Sequence, residues 1–346
     1  MLVLAGCLED LPRPSKVDSL RVLAVRAEPP EAAPGDSVKL TALVVDPTGK
    51  GRPLTMRWSA CLIPERGNGF FSTGGTTSTS GSGYSTDDPG TCSSLPPDAK
   101  QNLSKTLTMS PDGREATFVV PPEVLTPSSV AQVYGLKSPT VGTGAPAAVT
   151  GQLAEATAAF LTIAGVNVTI TLEVTAGTGA AAETLVAYKR VNVSLSTTRN
   201  TNPPDVLFHL VKDGDTAEPP KTAQPVPPGG RCLLAEDTAP IKLSGGKWKL
   251  TALNIPDPPP KYSVLLGGSS TGKLFDVVER EETLFYSFFS TEGKFGQDIV
   301  KSVGSHQVQW ELEPNTATPS PAPLWIVARD GRGGTTWCRS DLEIAP

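Results

Sequence analysis

Histidine is almost missing from this chain: His209 and His306 are the two present in 346 residues. His209 follows Phe208 in an apolar stretch and His306 follows Gly304-Ser305; neither has a partner at metal-ligand or H-x-E spacing, so both read as structural. No G-x-S-x-G elbow occurs, which removes the usual signature of a serine hydrolase. Long apolar runs are missing too: past Cys7 nothing approaches the roughly 18 consecutive apolar residues of a membrane-spanning helix. Positive charge is in deficit, with 30 Lys and Arg against 35 Asp and Glu and a net charge of −5, so a nucleic-acid partner, which calls for a basic surface, is not expected. No C-x-x-C pair marks a zinc site.

Two motifs come close to chemistry and fall short. Gly267-Gly268-Ser269-Ser270-Thr271-Gly272-Lys273 fits G-x-x-x-x-G-K, yet Leu274 stands where a phosphate-binding loop needs the Ser or Thr that reaches Mg²⁺, so a Gly-Ser hairpin loop is expected. Asp213-Gly214-Asp215 and Asp87-Asp88 lack the spread of oxygen ligands that calcium takes, and read as solvated turns. The expectation is therefore no metal, no cofactor and no enzymatic activity.

What is abundant is glycine and proline, 33 and 34 residues, with charged residues at 19%. This describes a loop-rich chain of many short strands, and the length makes two domains the prior. Alternation supplies the strands. Val38, Leu40, Ala42 and Val44 alternate with polar neighbours after a Pro34-Gly35-Asp36 turn, and Leu54, Met56, Trp58 and Ala60 do the same after Asp46-Pro47-Thr48-Gly49. Trp58 is expected inside a sandwich. Ala116 to Val120 reads as another strand. Val166 to Val174 and Arg190 to Leu195 read as a closing hairpin, broken by Ala176-Gly177-Thr178-Gly179.

Asn202-Pro203-Pro204 marks a joint, after which the scheme repeats: Val206–Val211, Lys247–Ala252, Leu284–Phe288, Gln307–Leu312, Leu324–Ala328, an Asp330-Gly331-Arg332-Gly333-Gly334 turn, and a last strand through Cys338, Leu342 and Ile344. A Pro-rich excursion lies between, through Pro219, Pro220 and Pro227-Pro228. Between the strands of the first unit, residues 67–97 are rich in Ser, Thr and Gly, with Gly74 to Gly81 at the centre; a mobile surface insertion is expected there. Residues 123–164 carry mixed signals, with short helical turns among the readings.

This succession of strands, with a Pro-Gly-Asp turn, a central Trp strand and a final Asp-Gly-x-Gly-Gly turn, resembles bacterial Ig-like and PKD-like domains. The resemblance implies an all-β chain: a tether over 1–16, a first Ig-like β-sandwich over 17–200 carrying the insertion, and a second over 201–346.

A second resemblance is at the amino end. Leu4-Ala5-Gly6-Cys7 resembles the lipobox of bacterial lipoproteins, in which the cysteine thiol receives diacylglycerol. A single acyl chain binds a membrane only marginally, and each buried methylene contributes about 0.8 kcal/mol, so a durable anchor takes two or more chains. A secretory signal has a basic start and roughly 7–15 apolar residues. Only Met1 to Gly6 precede Cys7, so a start further upstream is expected. Leu8 follows Cys7 where family members retained at the inner membrane carry Asp, which implies the outer membrane.

With Cys7 lipidated, Cys61, Cys92, Cys232 and Cys338 remain, an even number that suits an oxidising compartment. Three connectivities are possible. Pairing neighbours within each domain gives Cys61 with Cys92 and Cys232 with Cys338, closing loops of about 30 and about 105 residues and stabilising by about 4 and 5 kcal/mol. Cys61 falls on the opposite face of its strand from Trp58, so it is expected to pin the insertion rather than bridge the core. Trp325 and Trp337 are out of phase with the apolar sets of their strands and are the candidate binding residues: exposed on a sandwich face, they would suit a glycan. The expected function is a non-enzymatic envelope lipoprotein presenting its loops to an envelope protein or glycan; the alternative is a carbohydrate-binding or polysaccharide-associated surface protein.

Overall fold

The computed structural model describes residues 13–66, 70–72, 104–134, 154–215, 230–233, 241–267, 275–304, 306–313 and 319–345. Cys7, Cys92, Asp87, Asp88, most of the 67–97 insertion, the Pro219 to Pro228 excursion and Gly268 to Lys273 lie outside them.

The chain is all-β. In its first half the strands are β1 (Arg21–Glu28), β2 (Glu31–Ala32), β3 (Ser37–Val45), β4 (Leu54–Arg66), β5 (Phe70–Ser72), β6 (Ser104–Thr106), β7 (Thr108–Met109), β8 (Glu115–Val119), β9 (Val166–Ala176) and β10 (Glu183–Val193). Alternation does what it should in β3: Val38, Leu40, Ala42 and Val44 are buried while their neighbours are not. Two sheets result, β1-β3-β8-β7 and β2-β10-β9-β4-β6. Their inner faces meet in one core that includes Leu40, Trp58, Phe118, Ile170 and Leu172. The first sheet has the A-B-E-D order of an immunoglobulin-like sandwich and the second the G-F-C-C′ order, with β2 added in parallel to the end of β10. Trp58 is 1% exposed and donates its indole N–H to Gly113 O at 2.8 Å, which satisfies the one polar atom it brings into the core.

The mixed stretch before β9 contains a helix, α1 (Pro127–Tyr134), and a helical turn at Phe160–Ala164. Tyr134 and Phe160 stack there, with ring centroids 4.2 Å apart.

The second half comprises β11 (Phe208–Lys212), β12 (Ile241–Leu243), β13 (Gly246–Ala252), β14 (Lys261–Gly267), β15 (Phe275–Glu281), β16 (Phe285–Ser290), β17 (Lys294–Phe295), β18 (Ile299–Lys301), β19 (Gln307–Leu312), β20 (Ser320–Pro321), β21 (Leu324–Arg329), β22 (Thr335–Ser340) and β23 (Leu342–Ile344). Sheet β11-β13-β19-β17 packs on sheet β18-β16-β21-β22, and the ribbon β12-β23-β20 closes one end. The core between them holds Phe208, Phe288, Trp310, Leu250 and Ile326. Cys232 and Cys338 are joined by a disulfide, with Cα atoms 4.9 Å apart, that fastens the segment before β12 to β22. Cys61, 3% exposed on β4, is disulfide-bonded as well.

The two sandwiches are not beads on a string, because the chain crosses between them twice. Before β1, Val17 N donates to Ser290 O at 2.9 Å and Ser290 N to Ser15 O at 3.0 Å, so the leading segment is strapped to the end of β16 in the second sandwich. Arg13 adds a bond to Phe295 O. In return, the β14–β15 hairpin of the second half reaches the first. β14 pairs in parallel with β5, Leu265 is fully buried in the first core, and the Phe275 ring meets that of Phe160 edge-on at 5.5 Å. The insertion is thus held at Phe70–Ser72 by a strand from the other half of the chain, an attachment that its Ser, Thr and Gly-rich composition does not foretell.

Candidate functional site

A cluster of buried charged and polar side chains lies at the seam between the sandwiches. The turn that joins β21 to β22 builds one side. Asp330 Oδ1 accepts from the backbone N–H groups of Arg332 (2.7 Å) and Gly334 (2.9 Å), while Gly331 and Gly333 take positive φ. A Cβ on Gly334 would stand 2.9 Å from Thr201 O, so glycine lets the turn lie flat against the inter-domain link.

The turn aims Arg332 across the seam. Its guanidinium is 4.4 Å from the centroid of the Tyr262 ring, 3.6 Å from Glu31 and 3.7 Å from Glu282. Glu31, 3% exposed and lying in β2, also accepts from Ser194 Oγ at 2.5 Å and from Asn200 N at 2.7 Å. Asn200 donates onward from its amide to Asp330 Oδ2 at 2.7 Å. From β10, Lys189 runs to Gly333 O and to Thr335 Oγ1 at 3.0 Å. Asn202 closes the network, donating to Ala27 O and accepting from Thr335 N, both at 2.8 Å.

Burial shows in the protonation equilibria. The Glu282 carboxyl is pushed up to about 7, first by loss of water and then by Asp330, with Arg332 opposing. The Lys189 ammonium is pulled down to about 8 by loss of water, against the attraction of Asp330. Acids and bases shifted in this way often mark an active site. Here Glu31, Lys189 and Asp330 are at most 9% exposed, and each has at least one polar contact to the opposite sandwich or the link: Arg332 for Glu31, Gly333 and Thr335 for Lys189, Asn200 for Asp330. Such an arrangement holds two bodies together.

Beside this polar network lies an apolar one. Val17, Leu23 and Ala24 from the first sandwich bury against Trp325 and Val327 from the second, with Leu43, Val45, Phe289 and Trp337 around them. Trp325 and Trp337 do point away from the core of their own sandwich, as their phase required. The expected exposure is not found: Trp325 is 4% exposed and Trp337 is half-buried in the same cluster. The outer face they occupy is covered by the neighbouring sandwich, so Trp325 presents no stacking surface to a sugar ring. Arg329 reinforces the seam, donating to Leu23 O at 2.9 Å.

The remaining candidates stay apart from the seam. His209 is partly buried in β11, and loss of water with nearby Lys249 lowers its proton affinity. His306 is bound to Gly304 O. Asp213 accepts from Gln309 in a turn after β11. Among the described residues, no group of three or more His, Cys, Asp or Glu is placed to hold a metal ion, and no helix is long and apolar enough to cross a membrane. Of the seam residues, the Asp330 turn and the Trp pair stand out in the sequence, whereas nothing local marks Glu31, Lys189, Asn200 or Glu282. A lone glutamate between Pro30 and Ala32 gives no local signal of burial.

No family model matches this chain. No curated protein matches it either. Among solved structures it is similar to murine CEACAM1b, at 10% identity over 93% of this chain and 100% of that one, with a TM-score of 0.19. It is also similar to the D0-D1 domain of Intimin, at 9% identity over 94% and 99%, with a TM-score of 0.18. Superpositions this loose leave the fold to be assigned by its own strand orders.

Proposed function

We propose that the chain is a non-enzymatic lipoprotein of the cell envelope, held through lipid on Cys7 at the outer membrane in preference to the inner. Its two sandwiches act as one rigid binding or structural module toward an envelope protein or glycan. No cofactor and no nucleic acid enter this reading. The observation that supports it is the seam: the buried charged groups, Glu31, Lys189 and Asp330, are spent on joining the two sandwiches. A chain that invests its polar core in the angle between two domains is suited to presenting surfaces at a fixed geometry.

The leading strap gives the anchor a mechanical meaning. From Arg13 onward the chain is fastened to the second sandwich. The residues from Cys7 to Arg13, fully extended, span at most about 20 Å. Lipid on Cys7 would therefore hold the β16–β17 corner near the headgroups, and a pull on the anchor would load both sandwiches at once.

Labelling cells with a fatty-acid analogue and fractionating them tests the anchor. Label in the membrane fraction, lost with Cys7→Ser, is the expected result; an unlabelled soluble protein would sink it. The carbohydrate-binding alternative keeps only Trp337, which is half-buried, since Trp325 is buried.

A further inference from the structure

The β14–β15 hairpin is an arm of the second half laid on the first. It leaves the second sandwich through residues 253–260, which include Pro256, Pro258, Pro259 and Pro260, and returns through Glu282 and Thr283. At its base Glu282 N donates to Pro260 O at 2.7 Å. The same base is gripped by Arg332, which touches the arm at Tyr262 and Glu282 and the first sandwich at Glu31.

Three carboxyl groups gather around that guanidinium, and they are not equally provided for. Glu31 accepts from Ser194 Oγ and Asn200 N. Asp330 accepts from Arg332 N, Gly334 N and the Asn200 amide. Glu282, whose side chain is 11% exposed, has in Oε1 a buried oxygen that accepts no hydrogen bond among the described residues. Arg332 Nη1 stands 3.7 Å from it, beyond hydrogen-bond length. An ionised oxygen left in this way costs far more than the oxygen of a neutral acid. Of the three carboxyls, Glu282 is therefore the one built to carry a proton. The other charges nearby do not relieve it. Lys189 is bonded to Gly333 O and Thr335 Oγ1, with Arg26 and Arg329 around it. On the arm itself Lys261 lies opposite Glu281, and Tyr262 opposite Arg280.

We propose that the hairpin is a proton-dependent arm: with Glu282 neutral it stays docked on the first sandwich, and with Glu282 ionised it lifts, unpairing β14 from β5 and uncovering Phe160. Docked, an ionised Glu282 sets a third negative charge beside Asp330 and Glu31 with one guanidinium between them. Lifted, the same carboxylate is in water. The docked carboxyl is accordingly held up at about 7, by loss of water first and then by Asp330, against an ordinary 4.5. Between those values the lifted form binds fewer protons than the docked one, so lifting gains about tenfold for each unit of pH and levels off above about 7. The strap at Ser290 and the Lys189 bonds to the Asp330 turn involve no residue of the arm, so the sandwiches stay joined when it lifts.

Hydrogen exchange read by mass spectrometry on the full chain, corrected for the intrinsic pH dependence of amide exchange, tests this. Opening at Phe70–Ser72 and at 265–267 is expected to rise at least tenfold between pH 5 and pH 8, while β3 and β19 keep their protection. Glu282→Gln cannot ionise and reduces the rise to less than twofold; circular dichroism melting shows that the variant is folded. Lys189→Met leaves the rise in place. In the unaltered protein the Glu282 carboxyl, followed by ¹³C resonance, titrates near 7. Equal opening at both pH values, a rise that persists in folded Glu282→Gln, a rise abolished by Lys189→Met, a rise shared by β3 and β19, or a Glu282 midpoint at 4.5 would each overturn the proposal.

Discussion

The guanidinium of Arg332 lies 3.6 Å from the carboxylate of Glu31, one carried by the β21–β22 turn of the second sandwich and the other by the short strand β2 of the first. Between them they tie together parts of the chain that local sequence keeps far apart. Breaking a buried pair by removing one partner leaves an uncompensated charge and costs about 3–5 kcal/mol. Glu31→Ala also strips the acceptor from Ser194 Oγ and Asn200 N, so it is expected to fall at the upper end of that range. Urea unfolding reads it as a lower midpoint.

The seam has a pH signature. Folded Glu282 keeps its proton up to about 7 against an ordinary 4.5, so its contribution to stability is full below 4.5 and is lost as pH rises through about 7. Folded Lys189 gives up its proton at about 8 against 10.5, so stability recovers as pH climbs through that interval. Melting temperature measured from pH 5 to 10 is expected to dip between 7 and 8. Glu282→Gln flattens the acid side and Lys189→Met the alkaline side. An unchanged profile in both variants refutes the assignment.

Trp325→Ala is expected to cost about 3–5 kcal/mol, the range for emptying a buried aromatic site. The loss should appear as partial uncoupling of the two sandwiches, with each core intact. Limited proteolysis of the inter-domain link around Asn202 measures it, cutting being faster in the variant than in the parent.

Leu265 tests the exchanged hairpin. Encoded in the second half, it is fully buried in the first core, so Leu265→Ala is expected to destabilise by about 2–5 kcal/mol. Hydrogen exchange should show the added opening in β4 and β9, strands of the first sandwich. Added opening confined to the second sandwich would contradict the hairpin's placement.

Much of the fold is legible because most strands face one core. β3 and β19 bury every second residue, and their alternation could be read directly from Val38–Val44 and Gln307–Leu312. β21 shows where that rule stops. Leu324 to Ala328 are all buried, since one face meets its own core and the other meets the first sandwich. A tryptophan out of phase is ambiguous between solvent and a second domain, and composition cannot choose. The exchanged hairpin was hidden for a similar reason: β14 draws its partner from β5, far back in the chain, and its apolar run Val264-Leu265-Leu266 has no period to betray it. The polar seam was the least legible part. Glu31, Asn200 and Glu282 carry no pattern that marks burial until the turn at Asp330 is folded against them.

Differential scanning calorimetry of the full chain tests most directly whether the two sandwiches are one body. A single transition whose calorimetric enthalpy equals its van't Hoff enthalpy is predicted, splitting into two when Arg332 is replaced by Ala. Two well-separated transitions in the unaltered protein would contradict the account.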